Sequence, residues 1–511
     1  MGRLSLAVFA VVFVLYASTA YPGLAPRDAG DMIRCARDLA VAHPPGYPLY
    51  MLLGHLWLRL TPLGDAAYRL NLLSASAGAL ACALLAAWGE RRGRWAGWTA
   101  GLSLAACGMM WKFSLLAEMY SLQAAFAAGL ILLSEGNKET FDRRARVSGL
   151  VAGLALVNHQ TFLLMLAPLL LLWLAEARRH GHSFWRAINA ASPLGCVGLL
   201  LYAVVPIRLG SLSLGWSVIR RAPYGSLSLF PGFARPFAQA ARGLLAQYAG
   251  GLLWAASPLL ALAAACGLWL ERGSRWAAAA LLGLACGAAF LLATRFDVSG
   301  WVARSALESA FVLPSLWLCV AAALLASRWE SRGSWRAPAL CAALAAAGLL
   351  ANAASLDHRA DFSAVDYSRS LRRTLEPGTR AVVRGDTALF ALALDPGGRE
   401  IVGEQDFAGG ALDYTVGLPL EKASALAAGA RLSPAGVALA AAPRPGFDGW
   451  PLYAIRRGRA LSSGEPYARD AALAYAFARY NASRLAQAEG RDGTQDALAA
   501  AAWDPEDFSL R

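Results

Sequence analysis

Residues 26–50 read PRDAGDMIRCARDLAVAHPPGYPLY, and they follow an apolar run at 4–20 that is long enough to cross a bilayer. A plain connection needs neither two acids three residues apart, Asp28 and Asp31, nor a stiff Pro-Pro-Gly turn after His43. If this stretch is the first loop of a polytopic membrane protein, the acids stand within a turn or two of the membrane exit. The fold class therefore rests on what the remaining residues do.

The chain has 511 residues, 57% hydrophobic and 16% charged, with mean hydropathy +0.43. Soluble domains carry about a quarter charged residues, so most of this chain must face lipid or other apolar segments. A formal net charge of +13 would point to nucleic acid in a soluble protein. Here the basic residues cluster between apolar runs, where they set membrane orientation, and no compact basic face with interleaved aromatics appears. Nucleic acid is not an expected partner.

Apolar runs of spanning length sit at about 4–21, 70–89, 95–111, 113–134, 147–160, 161–176, 188–207, 244–270, 276–294, 310–327 and 337–355. They predict a polytopic α-helical membrane protein with about eleven transmembrane helices. Tryptophans mark many of the ends, among them Trp88, Trp95, Trp185, Trp276 and Trp329, as interfacial rings do. The first run resembles a signal peptide as well, and is read as a retained helix. Five connections are rich in arginine: 90–94, 141–146, 176–186, 271–275 and 327–336. Eleven spans with a cytoplasmic N-terminus put all five inside, provided that 146–176 is a tight hairpin. The same count requires 47–60 to lie along the membrane surface instead of crossing it.

This topology, that of an inner-membrane protein, leaves the loops 22–69, 208–243 and 295–309 outside, together with everything after about 356. The chain divides into a membrane domain, 1–355, and an extracytoplasmic C-terminal domain, 356–511. In the latter, RAVVRGDTALFAL and REIVGEQDF resemble strands near turns, and ARDAALAYAFARYNASRLAQAEG reads as helix, giving a small α/β domain with a helical extension.

Seven of the eight cysteines fall in apolar runs and only Cys35 in a polar loop; without a C-x-x-C pair they read as packing residues. No cofactor is expected from the residues, and a metal requirement is left open. The Walker, Rossmann, HExxH and GxSxG patterns have no supporting context, which removes nucleotide hydrolysis and the common protease chemistries.

The candidate site residues lie toward the outer face. A helix beginning at Ala29 would carry Asp28 and Asp31 near its N-terminus; they read either as a cap with a first-turn acid or as a general base and its neighbour. In AHPPGYPLY, three prolines and a glycine fix the backbone and present His43 and Tyr47. Glu118 lies in an apolar run, where a carboxylate wants a partner: Lys112, Tyr120 or a residue of another helix. Asn158 and His159 occupy the outer turn of the hairpin. Arg208 ends YAVVPIR, while Arg295, Asp297, Arg304 and Glu308 crowd one short outer loop. Outer arginines suit a lipid phosphate, or pair with the acids beside them.

Taken in order, DAGDMIRCARDLAVAHPPGYPLYMLLGHL, AYRLNLLSASAGALACALL and WKFSLLAEMYSLQAAFAAGLILL resemble a bacterial membrane-protein family related to protein O-mannosyltransferases. The resemblance is strongest over about 20–175, with weaker echoes at YAVVPIRL and ALESAFVLPSLWL. A eukaryotic relative of that family O-mannosylates plexin and receptor-kinase ectodomains. The resemblance implies GT-C glycosyltransferase architecture, a first outer loop carrying the catalytic acid, and a polyprenyl-phosphate-linked sugar donor. It places Asp28 as the catalytic acid of an inverting transfer to a protein or glycan hydroxyl. Asp31 stands where relatives often carry glutamate, and the outer arginines would hold the donor phosphate. The transferred sugar would be mannose or another hexose. A transporter or lipid flippase is the alternative of another class; it would show pseudo-symmetric halves and midplane polar groups, which are not evident here.

Overall fold

A computed structural model describes residues 2–222, 237–294, 305–443, 453, 456 and 467–503. The chain divides into two compact units. The first comprises residues 1–20, 35–64 and 69–357; the second comprises 21–34, 65–68 and 358–511.

The first unit is helical. Its elements are α1 (Arg3–Thr19), α2 (Ala29–Asp38, whose first turns count with the second unit), α3 (Pro48–Leu60), α4 (Ala66–Glu90), α5 (Arg94–Ala106), α6 (Gly108–Phe113), α7 (Tyr120–Leu133) and α8 (Phe141–Asn158). There follow α9 (Leu163–Arg179), α10 (Phe184–Leu199), α11 (Val204–Leu209), α12 (Leu212–Ile219), α13 (Phe237–Ala256), α14 (Pro258–Leu270), α15 (Arg275–Thr294), α16 (Val312–Glu330) and α17 (Arg336–Asn352). Every apolar run read from the sequence is occupied by one of these helices or by a pair. Among the described residues five helical stretches are long and apolar enough to cross a membrane by themselves, and the bent pair α13–α14 would make a sixth. Of the large hydrophobic side chains that are exposed among the described residues, all but Leu498 belong to the first unit. That is the surface of a multi-pass membrane protein, with lipid as its solvent.

Several runs depart from a single straight helix, two of them sharply. The run at 244–270 is α13 and α14, bent by 103°. Pro258 has no N–H to continue α13, and Ser257, at φ +63°, turns the chain and caps α14 by accepting the Leu260 amide on its hydroxyl. The run at 113–134 begins with residues 114–119 outside any helix, between α6 and α7. Cys35, read as a loop residue, is buried on α2. Close helix packing rests on small residues. A Cβ at Gly149 or Gly153 of α8 would collide with the carbonyls of Ala191 and Gly195 on α10, so the two backbones meet without side chains between them.

The five arginine-rich connections meet at one end of this unit. Arg92 donates to Glu135 (2.6 Å), and Arg275 reaches both Glu135 (3.2 Å) and Glu176 (2.7 Å). Glu176 also accepts from Arg144 (2.9 Å) and from the Gly136 amide (2.8 Å). Arg328 pairs with Glu271 at 2.8 Å, and Glu330 takes the Trp95 amide at 2.9 Å. These bonds link all five connections to one another. The connections that the sequence groups by charge are thus in direct contact.

In the second unit the sheet has five strands, β1 (Arg380–Val383), β2 (Glu400–Gly403), β3 (Tyr414–Val416), β4 (Ser433–Ala435) and β5 (Ala438–Ala440), in the order β2-β1-β3-β5-β4. β1 runs parallel to β2 and β3, with α19 (Asp386–Leu394) as the crossover from β1 to β2. β5 runs antiparallel to β3 and β4. DTALFAL, part of a strand-like stretch in the sequence, is this crossover helix. Against the sheet pack α18 (Ser363–Thr374) and, after the short α20 (Leu420–Leu426) in the chain, α21 (Ala468–Ala488), with Tyr367, Leu371 and Tyr475 buried among Val383, Leu392 and Val416.

Candidate active site

Asp28 closes the turn that starts α2: its carbonyl accepts the Met32 amide at 3.1 Å, and the helix begins at Ala29. Its side chain is half-buried, whereas Asp31 is buried and pairs with Arg34 at 2.9 Å. The acid pair is therefore split between a helix-start carboxylate and one tied to an arginine a turn further on. Three of the six non-glycine residues at positive φ among the described residues lie in the first loop: Arg27 (+74°), Leu39 (+50°) and Tyr47 (+44°). Such backbone persists where the surroundings over-determine it, and it concentrates at working sites.

In the first unit the elbow after His43 feeds α3 through Pro48, which occupies a first-turn position where a missing N–H is harmless. The elbow also starts a run of aromatic rings. His43 meets Tyr47 edge-on at 5.1 Å, Tyr47 stacks on His159 at 5.6 Å, and His159 lies 5.2 Å from Tyr120. Four residues singled out from sequence, on three separate segments, are thus brought together. His159 accepts the Thr161 amide on Nδ1 (3.2 Å), so the neutral ring carries its proton on Nε2. Gln123 on α7 donates to the same threonine's hydroxyl at 3.0 Å.

Glu118 stands in the unwound segment between α6 and α7. The backbone there finds its bonds in other helices: Ser74 of α4 donates its hydroxyl to the Glu118 carbonyl (3.1 Å), and Asn158 of α8 donates to the Met119 carbonyl (3.1 Å). Irregular backbone at membrane depth is tolerated when protein groups satisfy it in this way. Tyr50 of α3 is buried nearby; burial raises its phenol above the ordinary range and the Glu118 charge adds to that, while Ser74 works the other way. Three strings that carry the sequence resemblance, HPPGYPLY, RLNLLSA and AEMYSL, therefore converge here. Lys112 has Glu308 as an ion-pair partner at 2.9 Å, a pairing with the outer-loop acid that sequence reasoning did not anticipate. Ser74, Tyr50, Gln123 and Thr161 were missed as well. A polar residue within an apolar run was the available signal for Gln123; Ser74 and Tyr50 lay unremarked inside the quoted motifs.

Arg208 lies in the last turn of α11 and donates to the Asp38 carbonyl at 3.3 Å. It lines a small cleft whose other walls are apolar, among them Leu39, Val41, Pro48, Met51 and Val205. Arg304, with Arg295 and Asp297, lies outside the described residues. No group of three or more metal-ligating side chains occurs among the described residues.

Residues 28–181 match the family described as the N-terminal domain of protein O-mannosyl-transferase TMEM260. The match starts on Asp28 and takes in His43, Tyr47, Tyr50, Ser74, Glu118, Tyr120, Asn158 and His159; Arg208 lies beyond it. The mouse protein O-mannosyl-transferase TMEM260 is 34% identical over 218 residues, 40% of this chain, and that of Dictyostelium discoideum is 25% identical over 261 residues, 46% of this chain. The aligned part spans 30% of the length of each relative. Among solved structures, ArnT from Cupriavidus metallidurans bound to undecaprenyl phosphate superposes with a TM-score of 0.53 at 15% identity, covering 86% of this chain and 99% of that one. Its apo state gives the same TM-score at 14% identity. Those likenesses establish the GT-C fold, and over residues 28–181 the chain is similar to the N-terminal domain of the protein O-mannosyl-transferases.

Proposed function

We propose that the chain is a membrane glycosyltransferase that moves a sugar, mannose or another hexose, from a polyprenyl-phosphate donor to the hydroxyl of a protein or glycan acceptor. The observation that carries the donor assignment is the cleft beside the elbow. It is apolar, as an isoprenoid chain requires, and Arg208 is on its wall to meet a phosphate. The ArnT relative with undecaprenyl phosphate is consistent with that ligand class.

In this reading Asp28 is the general base. It takes the proton of the acceptor hydroxyl as that oxygen attacks the anomeric carbon from the face opposite the phosphate. The bond from carbon to phosphate oxygen breaks, and polyprenyl phosphate leaves with both electrons. Arg208 neutralises charge growing on the leaving phosphate, with Arg304 assigned the same task. His43, Tyr47, Tyr120 and His159 form an aromatic wall suited to a sugar ring, and Glu118 and Asp31 support the donor side and the acid helix. The arginine-rich end faces the cytoplasm of an inner-membrane protein with eleven spans. Residues 356–511, with the acid-bearing loop, are extracytoplasmic.

The test combines two variants. Asp28→Asn should lose about 10²–10⁴-fold in transfer, the usual contribution of a general base, while donor binding and expression persist. Arg208→Ala should weaken donor binding in detergent. Wild-type transfer by Asp28→Asn would reduce the acid to a helix cap, and unchanged donor affinity in Arg208→Ala would remove the phosphate contact.

A further inference from the structure

Asp28 is flanked by two residues whose surroundings come from far along the chain. Arg27 holds a left-handed backbone at φ +74°, and its guanidinium carbon lies 4.6 Å from the ring centroid of Tyr467. That is cation–π stacking at a buried site, since Arg27 is itself buried. Two residues after Asp28, a Cβ on Gly30 would come within 2.5 Å of the Phe390 carbonyl oxygen and 2.7 Å of its carbon, so the start of α2 rests directly on the backbone of α19. The loop's beginning is fixed as well. Tyr21 stacks on His358 at 4.2 Å with its hydroxyl 3.4 Å from Nε2, and Asp361 holds the other ring nitrogen at 3.3 Å. All of these residues belong to the second unit.

We propose that Tyr467 and the Phe390 backbone are positioning elements for the catalytic base, acting through Arg27 and Gly30; the proposal rests on the reading of Asp28 above. The C-terminal segment is then part of the catalytic machinery. The physical reason is geometric. Arg27 in a left-handed conformation is disfavoured by its Cβ, and the Tyr467 stack holds it there. With Arg27 and Gly30 both fixed, the Asp28 side chain between them leaves the backbone in one direction. Displacing a catalytic group by about 1 Å can lower rate on the order of 10²-fold.

The decisive substitution is Arg27→Gly. Glycine adopts φ +74° without strain, so it removes the stack while leaving the turn accessible. A purely structural role predicts a lowered melting temperature and an unchanged kcat. Positioning predicts an unlowered melting temperature with kcat down about 10–100-fold and KM for the lipid-linked sugar little altered. Tyr467→Leu should reproduce the loss of kcat, and Tyr467→Phe, which keeps the ring face, should restore it. Wild-type kcat in both Arg27→Gly and Tyr467→Leu overturns the inference if Asp28→Asn is inactive. An active Asp28→Asn overturns the underlying assignment of the base instead.

Discussion

Replacing Glu176 with glutamine removes one charge from the ion-pair network that joins the arginine-rich connections, and changes little else. Its side chain is fully buried, and Arg144 and Arg275, at 2.9 and 2.7 Å, are 10% and 17% exposed. Glutamine keeps the size and an oxygen that can still accept the Gly136 amide. Each lost pair had a gross attraction of roughly 6 kcal/mol at an effective dielectric constant near 20, most of it offset by desolvation. Breaking a buried pair from one side leaves the arginines uncompensated, which destabilises by about 3–5 kcal/mol. Because these arginines retain some access to water, the lower end, about 3 kcal/mol, is expected. Equilibrium unfolding in mixed micelles reads the change, and a double-mutant cycle with Arg275→Gln isolates the pair. A coupling energy above about 1 kcal/mol is expected for groups sharing one network. A Glu176→Gln protein within 0.5 kcal/mol (roughly the surface-substitution range) of wild type, with no coupling to Arg275, would refute the view that this end is locked by buried charge.

Reporter fusions at Leu24, Arg92, Arg179 and Gly385 should read outside, inside, inside and outside; a cytoplasmic signal at Gly385 would break the eleven-span topology. Asp470, at the start of α21, has its carboxyl pushed up to about 7, by burial first and by the charge of Asp386 second. A raised folded-state value means that its contribution to stability is full below about pH 4 and is lost as pH rises through 7. Asp470→Asn should therefore match wild type near pH 4 in hydrogen exchange of α21 and become progressively the more protected of the two up to about pH 7. Equal protection at pH 8 would count against a raised Asp470.

The sequence alone determined the class of this protein and the position of its helices, and it marked out the arginine-rich connections as one group. Length and hydropathy require a run such as 310–327 to be helical in lipid, and arginine in five connections requires one common face. The start of α2 at Ala29 was legible too, because capping is a local matter. The tertiary structure alone decided which polar groups meet. Glu118 was legible as a carboxylate in an apolar run, but its unwound backbone is sustained by Ser74 and Asn158, some 40 residues away on either side. Lys112 finds Glu308 across 196 positions. Arg27 stacks on Tyr467 near the far end of the chain, and this makes residues 21–34 fold with the C-terminal unit although the sequence reads them as a loop of the membrane domain. Periodicity and composition report the environment a segment needs. They are silent on the distant partner that supplies it, because a hydrogen bond or a stacked ring leaves no pattern in the residues around it.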